Sequence, residues 1–290
     1  MLNTFRQVRG AFSLLNPQEI RRMCAVPPEI GLVAATPSGY AAMEDFLLPA
    51  AVPHRLRELL IAKVHRAGDP GAPESFDVVL YDAGLPCPAG CFAYHPGDPA
   101  LTVHAILEEH PEMGLTLARH FVPFRKAVVD GIVQSVCREN ALFALASALP
   151  NIIPNFFELP WAVGEFASDT AFITMNQVRM CFLIAAATGK KIGFAERKMD
   201  LVPVLASAFG WRAIARELAG KIPLGGGLIP KAAIAYAGSY VLGKGLERLH
   251  GVGRLPSAAE RRELYAEGLA KGHRLAQGAM PPPESAAAPE

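Results

Sequence analysis

Residues 30–48 read as strand, turn and helix, the place where an open α/β protein can hold a phosphate. A phosphate-binding loop puts G-x-x-x-x-G-K-[ST] there. Its backbone N–H groups cradle the oxygens, its lysine neutralises charge and its hydroxyl holds Mg²⁺. In that register this chain carries Ala34-Ala-Thr-Pro-Ser-Gly39-Tyr40-Ala41. Gly39 stands at the second glycine. Ala34 replaces the first, Tyr40 the lysine and Ala41 the metal-binding hydroxyl. Without an ammonium and a hydroxyl, little is left to neutralise a triphosphate. The segment is therefore an ordinary strand-turn-helix or a phosphate loop that has lost its chemistry. Asp82-Ala-Gly84 follows the next strong strand, where a GTPase has its Mg²⁺-linked Asp-x-x-Gly, with the glycine one position early. In His95-Pro-Gly-Asp98 only Asp98 matches a base-reading Asn-Lys-x-Asp. Each is also common turn chemistry. Together, in this order, they suggest a pseudo-GTPase that does not hydrolyse nucleotide.

A second constellation lies on an apolar helix expected from Pro160 to Thr188. At about 100° per residue, Glu165, Asp169, Asn176 and Arg179 share one side. The simplest reading is a solvent stripe. Another is a buried ion-pair network in which Arg179, with Arg212, neutralises Glu165 and Asp169. No Glu-x-x-His accompanies the pair, so a dinuclear carboxylate centre is not expected. A third is the hairpin Lys221-Ile-Pro-Leu-Gly225-Gly226-Gly227-Leu-Ile-Pro230 with the helix after it. Ala235, Ser239 and Gly243 recur every four residues, so two helix backbones can approach closely. Tyr236 and Tyr240 stand at i, i+4. Lys221 and Lys231 flank the glycines and suit anionic head groups. The hairpin is a candidate interaction surface or the packing face of a helical bundle.

The histidines show no metal or protease spacing, and no Gly-x-Ser-x-Gly elbow occurs. The five cysteines are odd in number and scattered, which argues against a disulfide framework. Cys87 and Cys91 form C-P-A-G-C with no second pair at metal spacing, so they read as reduced thiols, with a metal or redox role as the lesser alternative. No catalytic residue, metal or cofactor is expected.

These groups need elements to position them. Asn16-Pro17 opens a short helix to about Ala25. Glu29–Ala35 is a buried strand, and Ser38 is expected to cap a helix from Gly39 to Leu48. A helix from Pro53 leads to a strand near Leu60–His65. Phe76–Tyr81 is the clearest strand, and Cys91–Tyr94 is a short one. Strands separated by helices imply a parallel sheet. Beyond Asp98 only helices are expected: Pro99–Glu109, Glu112–Leu149 interrupted at Pro123, Pro160–Thr188, Phe194–Phe209, Trp211–Ala219, Pro230–His250, and one capped by Ser257. The fold class is α/β plus all-α. A small, mainly parallel module over 1–98 is followed by a helical domain over 99–277 and a disordered tail over 278–290.

With 28 Lys+Arg against 27 Asp+Glu, the 290-residue chain carries a formal charge of +1 and lacks the basic field of a nucleic-acid binder. Hydrophobic residues make up 51% and charged residues 19%. The mean hydropathy is +0.23. Even so, the longest uncharged run, Ala141–Phe157, is broken by Pro150 and Pro154 and falls short of the ~20 residues a span needs. The N-terminus lacks the apolar core of a signal peptide.

Three ordered segments carry a family resemblance. They are Ala167-Ser-Asp-Thr-Ala-Phe-Ile-Thr-Met-Asn-Gln-Val-Arg-Met180, Phe209-Gly-Trp-Arg-Ala-Ile-Ala-Arg-Glu-Leu218, and Ile222-Pro through Lys231-Ala-Ala-Ile-Ala-Tyr-Ala-Gly238. Over about residues 128–247 the chain resembles the bacterial YcjF-like, GTPase-associated domain of unknown function. The resemblance implies a helical domain that accompanies a GTPase, is membrane-associated and has no catalytic residue. The departure is that Ala34, Tyr40 and Ala41 stand where a competent GTPase domain would be. The expected function is a non-enzymatic interaction protein. Its partner is a GTPase, another protein or a membrane surface, on the cytoplasmic side of the inner membrane. The alternatives are a regulator that binds GTP or GDP without hydrolysing it, and an integral membrane protein.

Overall fold

The computed structural model describes residues 16–146, 169–202 and 228–279. These fall into two compact units. One comprises Pro17–Gly131 with Phe182–Glu196. The other is drawn from Ile132–Cys181 and Arg197–Glu290.

The first unit runs α1 (Pro17–Met23), β1 (Ile30–Val33), α2 (Pro37–Leu47), α3 (His54–Ile61), β2 (Val64–Arg66), β3 (Val78–Tyr81), β4 (Phe92–Ala93), α4 (Pro99–Glu109) and α5 (Gly114–His120). The strands form one parallel sheet in the order β2-β1-β3-β4. Ile30 is opposite Val64 on one side and Val78 on the other. Short runs of β-branched and aliphatic residues suit strands buried on both faces. Ile30, Leu32, Val78 and Leu80 are buried, as are Met43 and Leu47 of α2, Leu60 of α3 and Ile106 of α4.

Two local details depart from the sequence reading. The α2 cap is Thr36, not Ser38: the Thr36 hydroxyl accepts the Gly39 N–H at 3.1 Å, and Pro37 takes the first helical position. The helices α4 and α5 belong with the sheet, so this unit extends well past residue 98. Thr102 shows why. It is fully buried, accepts the His95 N–H at 2.9 Å and donates to the Ala93 carbonyl at 3.1 Å, tying α4 to the exit of β4. Pro123 marks the expected interruption, a 3₁₀ turn over Val122–Phe124 before α6 (Arg125–Ala146).

The helix α7 (Asp169–Ala187) ends at Gly189, with φ +72°. The Lys190 N–H bonds the Ala185 carbonyl at 2.8 Å and the Gly189 N–H bonds that of Ala186 at 3.0 Å, a Schellman ending. Arg119 donates to the carbonyls of Ala186 (3.3 Å) and Lys190 (3.1 Å), a cation where the helix dipole is negative.

The second unit contains parts of α6 and α7 with α8 (Leu228–Val252) and α9 (Ala258–Ala279). The last two pack antiparallel: Gly268 lies against Ala237 and Gly272 against Ala233. Ser257 and Glu260 make a reciprocal capping box at the start of α9 (3.3 and 2.7 Å). Arg254 and the Ser257 N–H hold the Glu260 carboxyl down at about 2. Gly278 closes the last turn of α9, so the helix runs into the expected tail; residues 280–290 lie outside the described residues. Among the described residues no strand follows residue 93, and no helix is long and apolar enough to cross a membrane.

Candidate functional site

In an open parallel sheet, ligands bind beyond the carboxyl ends of the strands, where the strand order reverses. Here that point lies between β1 and β3. The connection out of β1 is short: the strand ends at Val33 and α2 starts at Pro37. Gly39, Tyr40 and Ala41 are therefore inside the helix rather than in a loop. Asp82, at the end of β3, donates its N–H to the Val33 carbonyl at 2.8 Å. Its carboxylate lies on Gly39. A methyl group there would be 2.8 Å from Asp82 Cγ and 3.1 Å from Ala34 Cβ, so any side chain at this position would displace the Asp82 carboxylate. The Gly39 N–H in the first turn of α2 is satisfied by Thr36, whose hydroxyl accepts it at 3.1 Å.

The surroundings are aromatic and charged. The Arg66 guanidinium lies 4.9 Å from the centre of the Tyr40 ring and 3.7 Å from Glu44. Tyr94 is buried against Phe46, with ring centres 5.2 Å apart. Burial pushes its phenol up, and the Asp82 and Asp45 charges add to the shift. Asp45 pairs with Arg57 at 3.2 Å. Asp98 is structural and caps α4, accepting the Ala100 N–H at 3.2 Å. At the opposite end of the strands, Glu29 accepts from Lys63 and meets His65 Nε2 at 2.8 Å, and Lys63 first, then His65, holds its carboxyl below the usual range.

The second unit holds a polar cluster within its core. Arg179 and Asn176 of α7 are buried. Glu139 of α6 accepts from Arg179 Nη2 at 2.5 Å and from Asn176 Nδ2 at 3.0 Å. Asn176 also donates to Asn140 Oδ1 at 2.9 Å. Asn140 and Gln177 converge on the Ser239 hydroxyl, at 2.8 and 3.2 Å, and Ser239 donates to the Ala235 carbonyl at 3.0 Å. The cluster joins α6, α7 and α8. Of the expected stripe, Glu165 lies outside the described residues and Asp169 is placed by its backbone at the start of α7. Sequence reasoning missed Glu139, Asn140 and Gln177. Their signal is a pair of polar residues at 139–140 in a run that turns apolar, and a mid-helix Asn is costly unless its side chain is bonded.

Of the hairpin, Lys221 and Gly225–Gly227 lie outside the described residues, and Lys231 sits in the first turn of α8. Ser239 and Gly243 face inward. A methyl at Gly243 would meet Val133 Cγ2 at 2.6 Å and Met180 Sδ at 3.1 Å. The neighbouring face, with Ala233, Tyr236, Ala237 and Tyr240, packs on α9. There Tyr240 donates to Glu267 at 2.8 Å and Lys271 lies 4.5 Å over its ring.

A third cluster joins Asp200 to His250 Nε2 at 2.9 Å and to Arg197 at 3.1 Å. Asp200 and His250 are buried, yet the apolar residues beside them are not: Met199 is 71% exposed and Val252 68%, with Val202 and Leu255 also open. Among the described residues, no group of three or more His, Cys, Asp or Glu is placed to hold a metal.

Comparison with family models, curated proteins and solved structures gives no match.

Proposed function

We propose that this protein is a non-enzymatic interaction protein of the GTPase-associated kind. Its α/β unit is a docking platform, and its helical unit contacts a partner or a membrane surface. The observation that carries the reading is the Asp82 carboxylate on Gly39, at the first turn of α2. With Tyr40 and Ala41 in place of the lysine and the metal-binding hydroxyl, nothing there neutralises a nucleotide phosphate beside that carboxylate. The unit keeps the layout of a ligand-binding α/β protein, with the Asp82 carboxylate beside the helix start where a phosphate loop would hold its ligand. Isothermal titration with GTP and GDP in Mg²⁺ is expected to give no heat. Micromolar affinity for either would replace this reading with that of a nucleotide-binding regulator.

The resemblance to the YcjF-like family supports the second half of the proposal. In the run 167–180, Asn176, Gln177 and Arg179 are the residues that join α7 to α6 and α8. On this reading the run specifies a helical scaffold, and contact is left to outer surfaces. Met199, Val202, Val252 and Leu255, exposed apolar residues near Asp200 and His250 in the chain, and exposed Lys198 are the candidates for attachment to the face of an anionic bilayer on the cytoplasmic side.

A further inference from the structure

Cys87 and Cys91 stand at the two ends of Cys87-Pro-Ala-Gly-Cys91, in the connection from β3 to β4. The backbone folds back there. The Cys91 N–H donates to the Pro88 carbonyl at 3.1 Å, and Gly90 has φ +79°. That is the left-handed value a type II turn requires at its third position. Such a turn brings the Cα atoms of its first and fourth residues, Pro88 and Cys91, within about 7 Å, and Cys87 is the residue just before Pro88. A disulfide bridges Cα separations of roughly 4.4–6.8 Å. Both thiols are free; Cys87 is exposed and Cys91 half-buried. Cys24, Cys137 and Cys181 are buried, which closes them to a disulfide reagent in the native fold. The Cys87 thiol is raised, by burial first and then by the Cys91 charge.

The geometry points to Cys87 and Cys91 as a reversible thiol–disulfide site that closes on reaction with a low-molecular-weight disulfide of the glutathione class. The Cys87 thiolate attacks one sulfur of oxidised glutathione. The glutathione S–S bond breaks, and one glutathione leaves as thiolate and takes up a proton. The Cys91 thiolate then attacks the Cys87 sulfur and expels the second glutathione. The protein loses two electrons and two protons, and one oxidised glutathione becomes two reduced ones. The new bond pins the start of β4, an edge strand whose Phe92 packs against His110 with ring centres 5.7 Å apart.

The test uses the full chain, reduced and kept native, with ~0.1 mM oxidised glutathione. A thiol four residues away acts at an effective concentration of about 1 mM or more, so ring closure should outrun capture of a second glutathione roughly tenfold. Alkylation with N-ethylmaleimide, intact mass and peptide mapping read the outcome. The expected product is lighter by two hydrogens, linked between Cys87 and Cys91, and restored by dithiothreitol; Cys24, Cys137 and Cys181 alkylate only after denaturation. Cys91→Ser should stop at one glutathione adduct on Cys87. Wild-type protein that keeps both thiols reduced, carries glutathione on both, or links either to another cysteine overturns the inference without reference to the variant.

Discussion

The close approach of α8 and α9 makes one substitution carry opposite signs at two glycines. In a helix interior, Gly→Ala gains about 1 kcal/mol because alanine loses less backbone freedom on folding. At Gly131 of α6 the added methyl meets open space, and the chain should gain ~0.5–1 kcal/mol. At Gly272 the same methyl lies 2.7 Å from Ala233 Cα and 2.8 Å from Tyr236 Cβ. Ordinary carbon contacts are about 3.5–4.0 Å, so the overlap is close to 1 Å. The nearest obstacle is backbone and cannot rotate away; α9 has to move off α8. Overpacking costs about 1–3 kcal/mol, and a backbone obstacle puts this site at the upper part of that range, about 2–3, which against a propensity gain of about 1 leaves a net loss of ~1–2 kcal/mol. Urea unfolding followed by circular dichroism reads both variants as midpoint shifts at constant slope. Gly272→Ala should move the transition of the helical unit down, and Gly131→Ala should move that of the sheet unit up. A Gly272→Ala protein as stable as wild type would refute the close-packing argument.

In the helical core, Arg179→Leu leaves the half-buried Glu139 carboxylate with only neutral donors, and should cost about 2 kcal/mol, below the cost of breaking a fully buried pair. A double-mutant cycle with Glu139→Leu isolates the pair, and a coupling near zero in denaturant titrations would show that the two do not support each other. In the sheet unit, the Glu29 carboxyl sits below its ordinary 4.5 because Lys63 and His65 hold the ionised form. A depressed carboxyl stabilises the fold above its unfolded-state value, and that contribution is lost as pH falls through the folded one. Stability measured from neutral pH to about pH 3 should therefore drop less steeply in Glu29→Gln than in wild type.

Much of the local structure is legible in the residue order. Val78–Tyr81 is apolar and rich in β-formers, Pro99 and Asp98 mark the start of α4, Ser257 marks that of α9, and Gly189 marks the end of α7. Each signal acts within a few residues, through side-chain sterics or a capping hydrogen bond, so a sequence window contains its cause. Cap choice is less legible: Thr36 and Ser38 are both good caps, and only the direction of the chain leaving β1 selects Thr36.

The pairing of distant groups is decided elsewhere. Helical spacing puts Asn176 and Arg179 on one side of α7, but their partner Glu139 lies on α6, and nothing in a linear pattern couples 139 to 179. Likewise, the sequence register shows Gly39 alone, and only the sheet order, which sets β3 beside β1, brings Asp82 onto it. The residue types alone established a small parallel sheet followed by helices, because periodicity, propensity and capping are local. Which carboxylate meets which helix end or which arginine was left to tertiary structure, because burial and charge pairing act between segments that only the packed chain brings within a few ångströms.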